Sequence, residues 1–261
     1  MKRVLMLAYG FACYLMFLGV YAALAVFVGN LPVGLPTIDA PAAGSVETAV
    51  AVNLLLIGVF AAQHSVMARP GFKKVWTKVV PRPIERSTYV LAANLVTLLL
   101  IWQWRPIDTV MWHVEMPAAR TAIWALFVAG WLAVPAVTLL INHFDLFGLR
   151  QVWCEFRGRK CEPLPFRTPL AYAHVRHPLY MGWALAFWAT PTMTAGHLLF
   201  AASMTVYMAL AARVEERDLI DHFGRQYRQY REQVPMFIPR LRPFEPVAGT
   251  PAEFVVNLSP H

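Results

Sequence analysis

The sequence predicts an all-α integral membrane protein of about six transmembrane helices, with both termini in the cytoplasm and an amphipathic helix near the C-terminus. Three observations carry this prediction. Of 261 residues, 58% are hydrophobic and 15% charged, with a mean hydropathy of +0.47; soluble domains hold about 25% charged and about 45–50% apolar residues. Apolar runs recur at the length that crosses a hydrocarbon core, about 20 residues. The lysines and arginines collect in alternate loops: of 23, all but Arg105 and Arg120 fall in residues 2–3, 69–86, 150–176 and 213–242. That bias is what the positive-inside rule expects of an even number of spans. Disorder, a coiled coil and an ordinary water-soluble enzyme are excluded by composition. The net charge of +8 does not indicate nucleic acid, because its sources are these short loops.

The first span covers residues 4–27. It follows Lys2 and Arg3 like a signal peptide, but its apolar part far exceeds the roughly 7–15 residues of a cleavable segment. The second runs over 46–63, the third over 89–104 and the fourth over 122–141, where Pro135 predicts a kink. Residues 178–212 are too long for one span and short for two. Pro191, Thr192, Thr194 and Gly196 interrupt them, so a tight hairpin of two short limbs is expected, with five spans plus a hairpin or re-entrant piece as the alternative. Residues 215–234 carry Leu219, Phe223, Tyr227 and Tyr230 on one helical face; this helix either lies on the membrane surface or folds back as a lid. Prolines at 235, 239, 243, 246, 251 and 260 then predict an extended tail. The chain divides into an N-terminal helix and outer loop (1–45), a membrane core (46–242) and a tail (243–261).

Ionisable residues at membrane depth are costly and mark function. Here they gather at the cytoplasmic helix ends: Gln63, His64 and Ser65; Glu85, Arg86 and Tyr89; Asn142, His143, Asp145 and Arg150; Arg176, His177 and Tyr180; Arg213, Glu215 and Glu216. The outer ends offer Asp39, Asp108, His113 and Glu115 without comparable grouping. Lys73, Lys74, Lys78, Trp76, Arg157 and Arg159 are read as interfacial anchors. A transporter would place charges near the midplane. The three histidines at 64, 143 and 177 also raise haem or metal ligation, but no recognisable ligand spacing accompanies them. Cys13, Cys154 and Cys161 make no C-x-x-C pair and no structural zinc set.

The run Val175-Arg176-His177-Pro178-Leu179-Tyr180-Met181-Gly182, followed by Glu215-Glu216-Arg217-Asp218-Leu219, Gly224, Tyr227, Tyr230 and Val234-Pro235, resembles the cofactor-binding signature of isoprenylcysteine carboxyl methyltransferases and related membrane methyltransferases. Gln63 to Pro70, Pro83 to Tyr89, Trp102 to Pro106 and Asn142 to Gln151 resemble the bacterial methanethiol S-methyltransferases, a pattern partly shared with NnrU-like membrane proteins. This resemblance spans most of residues 50–240. It implies S-adenosylmethionine as cofactor, a small volatile thiol as substrate, a membrane setting (the bacterial inner membrane) and no metal or nucleic acid. On the cofactor side it implies His177, Tyr180, Glu215 and Glu216, with Arg176 and His177 as partners for the cofactor carboxylate, Glu215 and Glu216 toward its positive side, and Tyr172, His174 and Tyr227 as additions. On the thiol side it implies His64, Tyr89, His143, Asp145 and Arg150. Asp145 and Arg150 are equally readable as a structural pair closing the loop after the fourth span. A thiol so small is recognised by exclusion, so Phe144 and Trp153 are expected to cap a small cavity. The alternatives are a larger apolar substrate, either a prenylcysteine carboxylate or a lipid, and a non-catalytic NnrU-like haem or redox protein.

Overall fold

The structure, a computed structural model, describes residues 1–162, 164–166, 168–244 and 254–256. Among the described residues, five helices are long and apolar enough to cross a membrane: α1 (Lys2–Gly29), α2 (Val46–Val66), α4 (Arg82–Gln103), α5 (Pro117–Ile141) and α10 (Ala195–Phe223). Their ends follow local chemistry. Ser45 caps α2 by accepting the Thr48 N–H. Proline opens α4 and α5, as it does the short α3 (Pro70–Trp76) and α9 (Pro178–Trp188), where its missing N–H costs nothing. Asn30 ends α1 in the left-handed conformation, φ 52°, and pairs with Asp39 through two hydrogen bonds.

Helix α5 runs through Pro135 as one element. Proline cannot donate to the carbonyl four residues earlier, and that carbonyl, of Trp131, accepts the Tyr21 hydroxyl instead. The orphaned acceptor thus becomes a link between α5 and α1.

The hairpin expected over residues 178–212 has unequal limbs. Helix α9 has 11 residues and α10 has 29. At 1.5 Å per residue α9 covers about 16 Å, roughly half a hydrocarbon core, and the chain completes the crossing extended. There β3 (Thr192–Thr194) pairs antiparallel with β1 (Val110–His113). Val114 N–H donates to Pro191 O, Ala195 N–H to Thr109 O and Gly196 N–H to Ile107 O, so the non-helical backbone is satisfied by protein, as it must be in lipid. The chain therefore changes ends six times, five times on long helices and once on α9 with its extension.

Close approach of α9 to α5 needs small residues. A Cβ on Gly130 would lie 2.6 Å from Ala186 N, and Gly182 faces Ala133 and Val134. Gly182 and Ala186 are four apart, the small-residue spacing that lets membrane helices touch. Phe27, Trp104, Phe127, Trp131, Phe187 and Phe200 fill the core alongside this contact.

The end expected to face outward is less bare than the sequence suggests. Thr194 donates to Asp39 Oδ1, His197 Nδ1 lies 3.5 Å from Asp39 Oδ2, and His197 Nε2 is 2.9 Å from Phe187 O. Asp39 thus ties the loop after α1 to the start of α10.

At the opposite end, α6 (His143–Leu146), α7 (Leu149–Phe156) and α8 (Ala171–His174) lead into α9. The helix expected over 215–234 is broken: Gly224 (φ 56°) separates the end of α10 from α11 (Arg225–Gln233). Tyr227, Tyr230 and Val234 are buried against Leu219, Ile220, Phe223 and Phe244, so α11 folds back rather than lying free on the membrane. The following segment is extended, as the prolines imply, and runs along residues 173–177. Arg176 and His177 N–H donate to Pro235 and Met236 carbonyls, and Arg240 and Phe244 N–H to His174 and Ala173 carbonyls. Strands β2 (Leu164–Phe166) and β4 (Phe254–Val256) also pair. The rest of the tail lies outside the described residues.

Candidate functional site

Pro178 starts α9 and leaves His177 at its cap, facing the end of α10 across the hairpin. Arg176 Nε and Nη2 donate to the two Glu216 oxygens at 2.6 and 3.3 Å. Its Nη1 donates to the carbonyls of Arg231, at 2.8 Å, and Val234. His177 Nε2 is 3.1 Å from Glu216 Oε1. Only 6% of the Glu216 side chain is exposed, against 47% for Glu215. The two glutamates therefore differ in kind: Glu216 is bound by its neighbours, whereas Glu215 opens to the surroundings and accepts the Tyr180 hydroxyl at 3.1 Å. Tyr180 and His177 stack in parallel, planes within 4° and centroids 5.2 Å apart.

Tyr180 is also a wall of a cavity of about 230 Å³ between α1, α2, α4, α6, α9 and α10. His64, Tyr89 and Tyr207 line it as well, while Phe60, Leu100, Phe187, Phe200 and Met204 make its apolar part. His64 stacks on Phe60 and leans on Tyr89. Its Nδ1 is buried without a hydrogen-bond partner among the described residues. Tyr89 donates to His64 O at 3.3 Å, and Tyr207 lies 3.2 Å from Ser65 Oγ. Arg69 pairs with Asp218 at 2.6 Å, holding the end of α2 to α10.

The remaining thiol-side candidates form a different group, in the loop after α5. Thr138 donates its one hydroxyl proton to Pro135 O, so it must accept from His143 Nδ1, 2.8 Å away. The other nitrogen, Nε2, then accepts the Tyr14 hydroxyl at 2.7 Å. Burial pushes the His143 pKa below its ordinary value, which agrees with this neutral tautomer; both ring nitrogens are engaged by protein. Asp145 accepts from Arg150 at 2.9 Å and from Gln151 at 3.2 Å, and Arg150 also donates to Glu162 O. Arg86 holds Leu146 O. Gly148 (φ 83°) presses against Ser87, where a Cβ would lie 2.7 Å from the backbone nitrogen. Leu146 and Phe147 of this same loop line the cavity.

The structure thus joins Arg176, His177, Tyr180, Glu215 and Glu216 in one cluster. It places His64 and Tyr89 on the cavity beside it, and sets His143, Asp145 and Arg150 behind the cavity wall. Tyr172 O accepts the Tyr230 hydroxyl, and burial pushes the Tyr172 phenol up. His174 Nδ1 is 2.7 Å from Arg240 O, on the tail side. Tyr227 belongs to the buried aromatic cluster of α11. Arg176 gives four of its five N–H donors to Glu216 and to the carbonyls of Arg231 and Val234. Phe144 and Trp153 are 54% and 49% exposed and do not line the cavity; they face outward. Lys73, read as an anchor, is instead buried, and its pKa falls to about 8, first through that burial and then through Arg86. Tyr207, Arg69, Tyr14 and Thr138 were not legible as site residues, because their partners lie on other helices. The three histidines join no group of three metal-ligating side chains among the described residues.

The donor set fits a cationic sulfonium cofactor. A half-open carboxylate, Glu215, sits beside the stacked faces of His177 and Tyr180, and negative charge and aromatic faces both attract cations.

No protein-family model and no solved structure matches the chain. It is 53% identical over 239 residues to a methanethiol S-methyltransferase of Mycobacterium tuberculosis, covering 92% of this chain and 98% of that protein. It is 52% identical over 234 residues to methanethiol S-methyltransferase 1 of Bradyrhizobium diazoefficiens, covering 90% and 82%. Nurim of Mus musculus is a more distant relative, 32% identical over 186 residues and covering 67% and 70%.

Proposed function

The chain belongs to the methanethiol S-methyltransferase family, and from that premise we propose that it methylates methanethiol to dimethyl sulfide with S-adenosylmethionine as donor. The observation that carries this reading is Tyr180. Its ring walls the apolar cavity while its hydroxyl holds Glu215, so one side chain separates a place for an apolar thiol from a place for a cationic donor.

Bound S-adenosylmethionine supplies a methyl group on a positively charged sulfur. Glu215 and the His177–Tyr180 stack hold that cation. Glu216 and Arg176 keep His177 in place and clamp α11 beneath the site. The thiol must lose its proton to become the nucleophile, and apolar surroundings make that harder. His64, on the cavity wall, accepts that proton. Tyr89, bonded to the His64 carbonyl, positions it. His143, Asp145 and Arg150 act at one remove: they hold the loop whose Leu146 and Phe147 close the cavity. Orientation of thiol and methyl carbon in a confined space supplies further rate.

The end that holds the site also carries nearly all the lysines and arginines, 21 of 23, which supports a cytoplasmic site in a bacterial inner membrane. Headspace gas chromatography on the purified protein, given S-adenosylmethionine and methanethiol, tests the reaction. Dimethyl sulfide from the wild type and a loss of at least tenfold in Glu215→Ala are expected. No dimethyl sulfide from a folded, cofactor-binding protein would overturn the substrate.

A further inference from the structure

The cavity is larger than methanethiol requires. A water takes up about 30 Å³ of liquid, so a molecule of two heavy atoms needs roughly 60 Å³, whereas a cavity of about 150 Å³ holds the six carbons of benzene. On that scale the 230 Å³ here admits about nine heavy atoms. Its polarity is graded. His64 and Tyr180, whose hydroxyl holds Glu215, line one end. Further along, the polar side chains are already paired within the protein: Tyr21 to Trp131 O, Asn94 to Cys13 O and Thr97 to Ala93 O. Beyond them stand Leu100, Phe187, Phe200 and Met204, which offer a ligand only carbon and a thioether sulfur.

We propose that the protein also methylates longer unbranched alkanethiols, up to roughly eight carbons, to their alkyl methyl sulfides. The inference rests on the methyltransferase reading above. The sulfur sits at the His64 end and the alkyl chain runs into the apolar part. The thiol proton passes to His64 and then to water. The thiolate electron pair forms the new sulfur–carbon bond as the methyl carbon's bond to the donor sulfonium breaks, its electrons staying on that sulfur, which becomes a neutral thioether. Each methylene taken from water into the cavity improves apparent binding about three- to fourfold, so KM falls with chain length until the cavity is full.

The test uses the full-length protein in one detergent at one concentration. Methanethiol, 1-propanethiol, 1-hexanethiol and 1-dodecanethiol are offered in turn, with the sulfides quantified by gas chromatography–mass spectrometry. Calorimetry with 1-hexanethiol, without cofactor, reads binding directly. Hexyl methyl sulfide at a KM at least tenfold below that for methanethiol, with a decline at dodecanethiol, is expected. Ala93→Phe, or Val90→Phe should the first variant not fold, intrudes on the cavity and should raise the hexanethiol-to-methanethiol KM ratio at least tenfold. Dimethyl sulfide without hexyl methyl sulfide, and no heat from hexanethiol, overturns the proposal and leaves the methanethiol reading standing. If no sulfide of any length forms, both fail.

Discussion

Arg176 grips Glu216 with two hydrogen bonds, 2.6 and 3.3 Å long, in a setting where both side chains are more than nine-tenths buried. The residue just before Glu216 on the helix, Glu215, is half exposed. Removing one member of a buried ion pair strands the other charge and costs about 3–5 kcal/mol. Glu216→Ala should therefore lower the unfolding midpoint in detergent strongly, while Glu215→Gln leaves it near wild type and weakens S-adenosylmethionine binding at least tenfold by calorimetry. Equal stability losses in both variants would contradict the division of roles.

His64→Ala should lower kcat by about 10²–10⁴-fold at neutral pH, the usual contribution of a positioned base. The deficit should shrink as pH rises, because solution then supplies thiolate directly. A pH-independent deficit would show that His64 only shapes the cavity.

His143 makes an acid-sensitive contribution to stability. Burial holds its folded pKa below the ordinary 6.5, so as pH falls the unfolded chain takes up the proton first. Stability is then full above about pH 6.5 and declines below it. Unfolding midpoints measured from pH 7.5 to 5 should fall more steeply for the wild type than for His143→Asn. Identical slopes would place the titrating group elsewhere.

Gly130→Val should separate α9 from α5, since even a Cβ there meets the Ala186 backbone at 2.6 Å. Because α9 carries Tyr180, methyl transfer should fall at least tenfold while circular dichroism still reports a helical protein. Wild-type activity would mean that the helices tolerate the displacement.

Lys73 is buried with its pKa drawn down to about 8, and the folded chain holds its proton less tightly than the unfolded one. Stability should rise as pH climbs from about 8 toward 10.5. Lys73→Met should flatten that rise, as read from unfolding midpoints at pH 7.5, 8.5 and 9.5; an unchanged rise would assign it to another group.

Much of this architecture is legible in the chain because its causes are local. Twenty apolar residues in a row must leave water wherever they fold, and basic loops cost less on one side of a membrane. Span positions and the gathering of polar groups at one end follow from these facts alone. So does the start of α9, where Pro178 leaves His177 at the cap.

Partners that lie far apart in sequence depend on packing. Only the fold sets Arg176 against Glu216, 40 positions away, and Tyr14 against His143, 129 away. It separates two adjacent glutamates into one held and one open, buries Lys73 and turns Phe144 and Trp153 outward. It also divides the hairpin unequally, because β1 offers the extended segment hydrogen bonds that allow α9 to stop early. The cavity volume belongs to the tertiary structure for the same reason: it is the space left between six packed elements, and no one stretch of sequence encodes it.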